Sequence, residues 1–149
     1  MKISFKGDYV LKVILDLSLV FGKGIRQIKD IAQKQDIPEK FLEQIITTLK
    51  GAGYVKTIRG AKGGVLLAKD PAEITLGEII RLIDGPTSPI ACVSASGYTS
   101  CNFETRCAFR DVFCEIRDRI NDIVDQTTFA DMVEKTRQLG EKEAIDYTI

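Results

Sequence analysis

The 149-residue chain contains no histidine. That absence removes the commonest general base and every Ser-His or Cys-His nucleophile pair. A phosphate-binding loop is missing too, because the glycine-rich "GAKGG" at 60–64 lies between two strand-like stretches and not between a strand and a helix. Enzymatic activity is therefore not expected. No run of eighteen apolar residues occurs, so no membrane-spanning helix and no membrane partner are expected. Lys12 and Asp16 interrupt the apolar N-terminal stretch and no small-residue cleavage site follows, which makes it unlike a signal peptide. These features place the protein in the cytoplasm. The chain is long enough for one compact domain with its own core.

Cysteine is scarce, with four residues, and none forms the C-x2-4-C pair on which structural zinc sites usually rest. All four nevertheless fall within "CVSASGYTSCNFETRCAFRDVFC", and Cys92, Cys101 and Cys107 sit in a segment rich in Ser, Gly, Thr and Asn. Where thiols stay reduced, such clustering points to metal binding or redox sensing before structural disulfides. Iron-sulfur clusters accept wide spacing from an open loop, so Cys92, Cys101 and Cys107 are the candidate ligands, with zinc or no metal as alternatives. If both were helical, Cys114 would lie about 10 Å beyond Cys107 along the axis, and it reads as a small apolar residue of the long helix. Three thiols leave a fourth position, and an oxygen ligand such as Asp8, Glu104 or Asp111, or a small molecule, would fill it.

The net charge of zero hides a division. Residues 1–70 carry thirteen Lys or Arg against seven Asp or Glu, a net of +6, and the remainder carries −6. A basic half suits a polyanion, whose counterions are released on binding. In that half the apolar positions Val10, Val13, Ile14, Leu17, Val20 and Phe21 predict a helix over 7–21. Ile25, Ile28, Ile31 and Ala32 predict a second helix ending near Asp36, with Arg26, Lys29 and Lys34 on its outer side. Pro38 opens a third, at the first helical position, with Leu42, Ile45 and Leu49 buried and Gly51 at its end. "YVKTIR" and "VLLA" then predict a hairpin around the glycines.

Three helices followed by a hairpin is the order of a winged helix-turn-helix. The third helix would present Glu39, Lys40, Glu43, Gln44, Thr47 and Lys50 outward, and the hairpin tip Arg59 and Lys62, side chains that read base edges and phosphates of double-stranded DNA. Further on, Thr75 and Glu78 have capping-box spacing before Leu76, Ile79, Ile80 and Ile83. Val112, Phe113, Ile116, Ile120, Ile123 and Val124 form the apolar seam of a long helix, to be covered by the first helix and by a second subunit of a homodimer. "TTFADMV" predicts one more short helix, and the tail after Gly140 shows little pattern and reads as disordered. The expected fold is mainly α with a small β-hairpin wing. Residues 1–84 are read as the winged helix-turn-helix region, 85–106 as the cysteine loop, and 107–149 as the dimerisation helix and tail.

"MKISFKGDYVLKVILDLSL", "FLEQIITTLKGAGYVKTIRGAKGG" and the C-x8-C-x5-C spacing together resemble the Rrf-type winged-helix regulators, the family that includes IscR and NsrR. The resemblance covers about residues 1–133. It implies a dimeric transcription factor, usually a repressor, on a palindromic operator, whose iron-sulfur cluster senses redox state, nitric oxide or cluster supply. It implies base contacts by Lys40, Glu43 and Gln44, a minor-groove contact by Arg59, and cluster ligation by Cys92, Cys101 and Cys107. The first cysteine spacer is longer than usual. IscR-type members place a histidine where Arg110 stands here, and NsrR-type members supply an aspartate at the position of Asp8 across the dimer, which favours [4Fe-4S] over [2Fe-2S]. The alternatives are a cluster-free regulator controlled by thiols or a partner protein, and a small iron-sulfur electron carrier.

Overall fold

The computed structural model describes residues 1–146. Contacts gather in two units, one of Met1–Asp8 with Thr75–Thr127 and one of Tyr9–Ile74 with the stretch from Thr128 onward.

The second unit holds the larger core. Helix α1 spans Phe5–Leu19, two residues earlier at each end than the periodicity predicts, and buries Val10, Val13, Ile14 and Leu17 completely or nearly so. Helix α2 runs Ile28–Gln35, and Asp36 ends it in the left-handed region at φ 52°. Pro38 then caps α3 (Glu39–Gly51) one position before the helix, not at its first residue as expected; its carbonyl accepts from the Phe41 and Leu42 amides at 2.9 Å. Leu42, Ile45 and Leu49 are fully buried, a stripe at three- and four-residue spacing. Burying one such side chain contributes about 2 kcal/mol.

Strands β1 (Val55–Ile58) and β2 (Gly64–Leu67) pair antiparallel with Val55 opposite Leu67 and Ile58 opposite Gly64. Gly60, at φ 110°, takes a conformation that L side chains avoid, and the Gly63 amide closes the turn onto its carbonyl at 2.9 Å. A third chain segment joins this wing: Arg26 and Val65 exchange backbone hydrogen bonds of 2.9 and 2.8 Å. The second helix therefore starts at Ile28 and not at Ile25, which is 38% exposed before the bridge. Arg26 belongs to the wing sheet and not to the outer face of α2. Gly64 permits this approach, since a Cβ there would press on the Arg26 carbonyl.

The predicted last helix is far longer than "TTFADMV": α6 runs Phe129–Asp146, with Phe129 and Val133 buried. The tail after Gly140 is thus helical as far as Asp146, and residues 147–149 lie outside the described part.

In the first unit α4 spans Leu76–Asp84, and its capping box forms as the spacing predicts. The Glu78 amide donates to Thr75 Oγ1 at 3.2 Å, and Glu78 Oε2 accepts from the Thr75 amide at 2.9 Å. Helix α5 covers Arg110–Gln126. Its seam is open in the single chain: Val112, Ile116 and Ile123 are exposed, and Val124 alone of the six seam residues is buried. No helix among the described residues is long and apolar enough to cross a membrane.

Candidate nucleic-acid interface and cysteine segment

Because the apolar stripe of α3 faces the core, the opposite side is set by the same periodicity. Lys40, Glu43, Gln44 and Thr47 are all exposed and line one shallow recess. Lys50 continues this face, but its Nζ donates to Thr57 Oγ1 on β1 at 2.8 Å, so it ties helix to wing. Arg59 and Lys62 stand exposed in the turn between β1 and β2, as predicted. Between α2, α3 and the wing runs a cleft of about 450 Å³, lined among others by Gln27, Lys29, Glu39, Glu43 and Thr57. Glu39 belongs to the outward face that the periodicity predicts, whereas Gln27 and Thr57 were outside the predicted set of DNA-facing residues. Gln27 precedes α2, and only the Arg26–Val65 bridge brings it beside the wing.

One buried carboxylate fixes this arrangement from beneath. Asp16 on α1 is 1% exposed, pairs with Lys34 on α2, and lies 3.5 Å from Arg26 Nε. A charge out of water is held at low cost only when countercharges meet it. Here the two cations come from α2 and from the strand that completes the wing.

The cysteine segment is built differently. Cys92 lies in a short 3-10 turn, Ala91–Val93. Arg110, at the start of α5, donates to the Cys92 carbonyl at 2.9 Å and pairs with Glu104 at 2.6 Å. Arg117, two turns on, donates to the Val93 carbonyl at 2.7 Å. The Tyr98 hydroxyl donates to Glu104 at 2.8 Å. That hydrogen bond, and then the Arg110 charge, hold the Glu104 carboxyl below the ordinary glutamate range, and the same bond raises the Tyr98 phenol.

All four cysteines are free; Cys101 is exposed, and Cys92, Cys107 and Cys114 are half-buried. Cys114 lies on α5, as expected. The thiol chemistry of Cys92, Cys101 and Cys107 suits iron-sulfur or zinc ligation. Among the described residues no three Cys, Asp or Glu side chains gather where they could hold a metal. Glu104, one candidate oxygen ligand, is engaged by Tyr98 and Arg110. Asp111 is exposed in the first turn of α5. Asp8 is exposed in the first turn of α1, where a carboxylate complements the helix dipole. Within one chain Asp8 and the three cysteines do not assemble a ligand set.

A short-turn helix pair, an outward polar face on the second of them and a basic wing directly after it define a winged-helix DNA-binding transcriptional regulator. The chain belongs to the Rrf2 family: the model described as "Iron-dependent Transcriptional regulator" matches residues 3–135. It is 38% identical over 149 residues to the HTH-type transcriptional regulator CymR of Bacillus subtilis (strain 168), covering all of both chains. A solved structure of CymR, described as the global cysteine regulator of B. subtilis, superposes with a TM-score of 0.79 over 91% of this chain and 98% of that one. The chain is 35% identical over 132 residues to the regulator NsrR of Geobacillus kaustophilus (strain HTA426), 89% of each. The structure of T. potens IscR gives a TM-score of 0.72 at 34% identity, covering 91% and 88%. These relatives are regulators and not enzymes.

Proposed function

We propose that this regulator binds a palindromic operator as a homodimer, usually to repress, and that the chemical state of its loop thiols sets operator affinity. The observation that carries the reading is the tie between thiol segment and α5. Arg110 and Arg117 hold the Cys92 and Val93 carbonyls against the helix whose apolar seam is left open for a second copy. A change at the thiols would thus act on the helix that spaces two DNA-reading heads. Half-sites one helical turn apart, about 34 Å, require that spacing. In each head Lys40, Glu43, Gln44 and Thr47 would meet base edges, Lys50 would brace the wing, and Arg59 and Lys62 would meet the backbone beside the minor groove.

Direct thiol control, or control by a partner protein, is supported by the arginine bonds that hold the segment in shape and by the likeness to CymR over the whole chain. Cys101, the exposed thiol, is the first site of reaction. Its thiolate would attack a peroxide, forming an S–O bond, breaking O–O and releasing hydroxide, which leaves a sulfenic acid. A second reading, an iron-sulfur sensor on Cys92, Cys101 and Cys107 with Asp8 from the partner subunit, is supported by the thiol donor set and by the likeness to IscR and NsrR.

Iron and acid-labile sulfide per chain, measured on protein purified without oxygen, separate the two. Neither element, with an operator affinity that changes at least tenfold on peroxide treatment and returns with dithiothreitol, supports thiol control. About four of each per chain would overturn it in favour of a [4Fe-4S] sensor, and about two of each in favour of [2Fe-2S]. Equal operator affinity of every form would overturn both.

A further inference from the structure

Residues 87–96, α4 and α5 enclose a cavity of about 180 Å³ within the first unit. Its wall mixes polar and apolar surface, and each of these three segments contributes polar side chains to it. Thr87 and Ser94, 3% and 6% exposed, stand on the loop, and Asn121 and Arg117 on α5. Arg81 on α4 and Asp125 on α5 form an ion pair at its edge. At about 30 Å³ per water-sized group, the space takes a molecule of roughly six or seven heavy atoms.

The donors and acceptors left for a guest can be counted from the bonds present. The Thr87 hydroxyl donates to Asn121 Oδ1 at 2.5 Å, which leaves the Asn121 amide nitrogen with its two N–H donors. Arg81 uses one amino group on Asp125, and a guanidinium has five N–H donors. Asp125 keeps a second carboxylate oxygen, and its side chain is 43% exposed. Arg117 already spends donors on the Val93 carbonyl and on Asp118, which leaves one N–H on each of its two amino groups. The wall therefore offers the Arg81 guanidinium, the remaining Arg117 donors and one carboxylate together with hydroxyl and amide dipoles.

Both signs of charge decide the ligand class. A simple anion would meet Asp125, a simple cation would meet Arg81 and Arg117, and an apolar guest would strip water from Thr87, Ser94 and Asn121 without replacing its hydrogen bonds. A molecule that carries a carboxylate and an ammonium a few ångströms apart satisfies the whole wall. We infer that this cavity is a binding site for a small zwitterion, an α-amino acid with a short polar side chain. Its carboxylate would face Arg81 and Arg117, its ammonium Asp125, and its side chain Thr87 and Asn121. The site is independent of how the loop thiols act.

Calorimetric titration of the full chain with L-serine and with L-cysteine, against sodium acetate and inorganic phosphate, tests it. Saturable binding of an amino acid, at least tenfold tighter than acetate or phosphate and weakened at least tenfold in both Arg81→Gln and Asp125→Asn, is the expected result. No amino-acid binding, or phosphate bound as well as the amino acids, overturns the proposal. Amide chemical-shift mapping on the unmodified chain does not depend on the variants folding. Shifts concentrated at Ser94, Asn121 and Asp125 support the site, and shifts confined elsewhere overturn it.

Discussion

Replacing Asp16 by Asn keeps the volume and removes one buried charge, so its effect isolates the carboxylate under the DNA-reading face. Asp16 is 1% exposed and is met by Lys34, by Arg26 Nε at 3.5 Å and by Gln35 Nε2 at 3.5 Å. Breaking a fully buried ion pair costs about 3–5 kcal/mol. The cations here are not fully buried, since the Arg26 and Lys34 side chains are 33% and 50% exposed and can turn to water. Arg26 Nε and Asp16 Oδ2 also have no well-aligned hydrogen bond among the described residues, so part of the attraction is charge alone. These two facts reduce the expected loss to about 2 kcal/mol. With a urea dependence of about 2 kcal/mol per molar, the unfolding midpoint should fall by about 1 M. The assay is urea denaturation followed by circular dichroism, with Lys34→Met and the double variant completing a cycle whose coupling should be about 1 kcal/mol. A midpoint within about 0.2 M of the unmodified chain, or a coupling near zero, would refute the view that Asp16 holds α2 and the wing strand in place.

Arg59→Ala should weaken operator binding and lower the slope of log K against log salt by about 0.9 for each phosphate that the arginine neutralises; an unchanged slope in filter-binding titrations shows that Arg59 does not meet the DNA backbone. Gly64→Ala puts a methyl group against the Arg26 carbonyl and should open the Arg26–Val65 bridge at a cost of about 1–3 kcal/mol. Hydrogen exchange at the Val65 amide reads this directly, and unchanged protection contradicts it. The Glu104 carboxyl is held below its ordinary range first by Tyr98 and then by Arg110, so the contribution of these two contacts is fully present above the ordinary glutamate pKa and is lost as pH falls through the lowered value. Tyr98→Phe should move the Glu104 titration midpoint upward in a carboxyl NMR experiment, and equal midpoints in the two proteins would show that the hydroxyl is not its cause.

What the sequence determined by itself is whatever depends on neighbours a few residues apart. The three-and-four spacing of Leu42, Ile45 and Leu49 sets which face of α3 is buried, and so which side chains face outward. Thr75 and Glu78 set the start of α4, and the glycines at 60–64 set the wing turn. The length of α6 was legible in principle, because Glu, Lys, Arg, Gln and Leu after Met132 are good helix formers, but its weak apolar periodicity and Gly140 concealed it. Tertiary structure alone decided three things. The Ile25–Gln27 stretch is too short for a strand signal, and becomes part of the wing only because Gly64 lets the Arg26 backbone approach. Arg110 and Glu104 close the cysteine segment through bonds to Cys92 and Tyr98, at separations no local pattern encodes. Cysteine spacing defines which thiols share a loop, but whether they converge on one point depends on how that loop is pinned, and two arginine-to-carbonyl bonds pin it to α5 without bringing three ligands together.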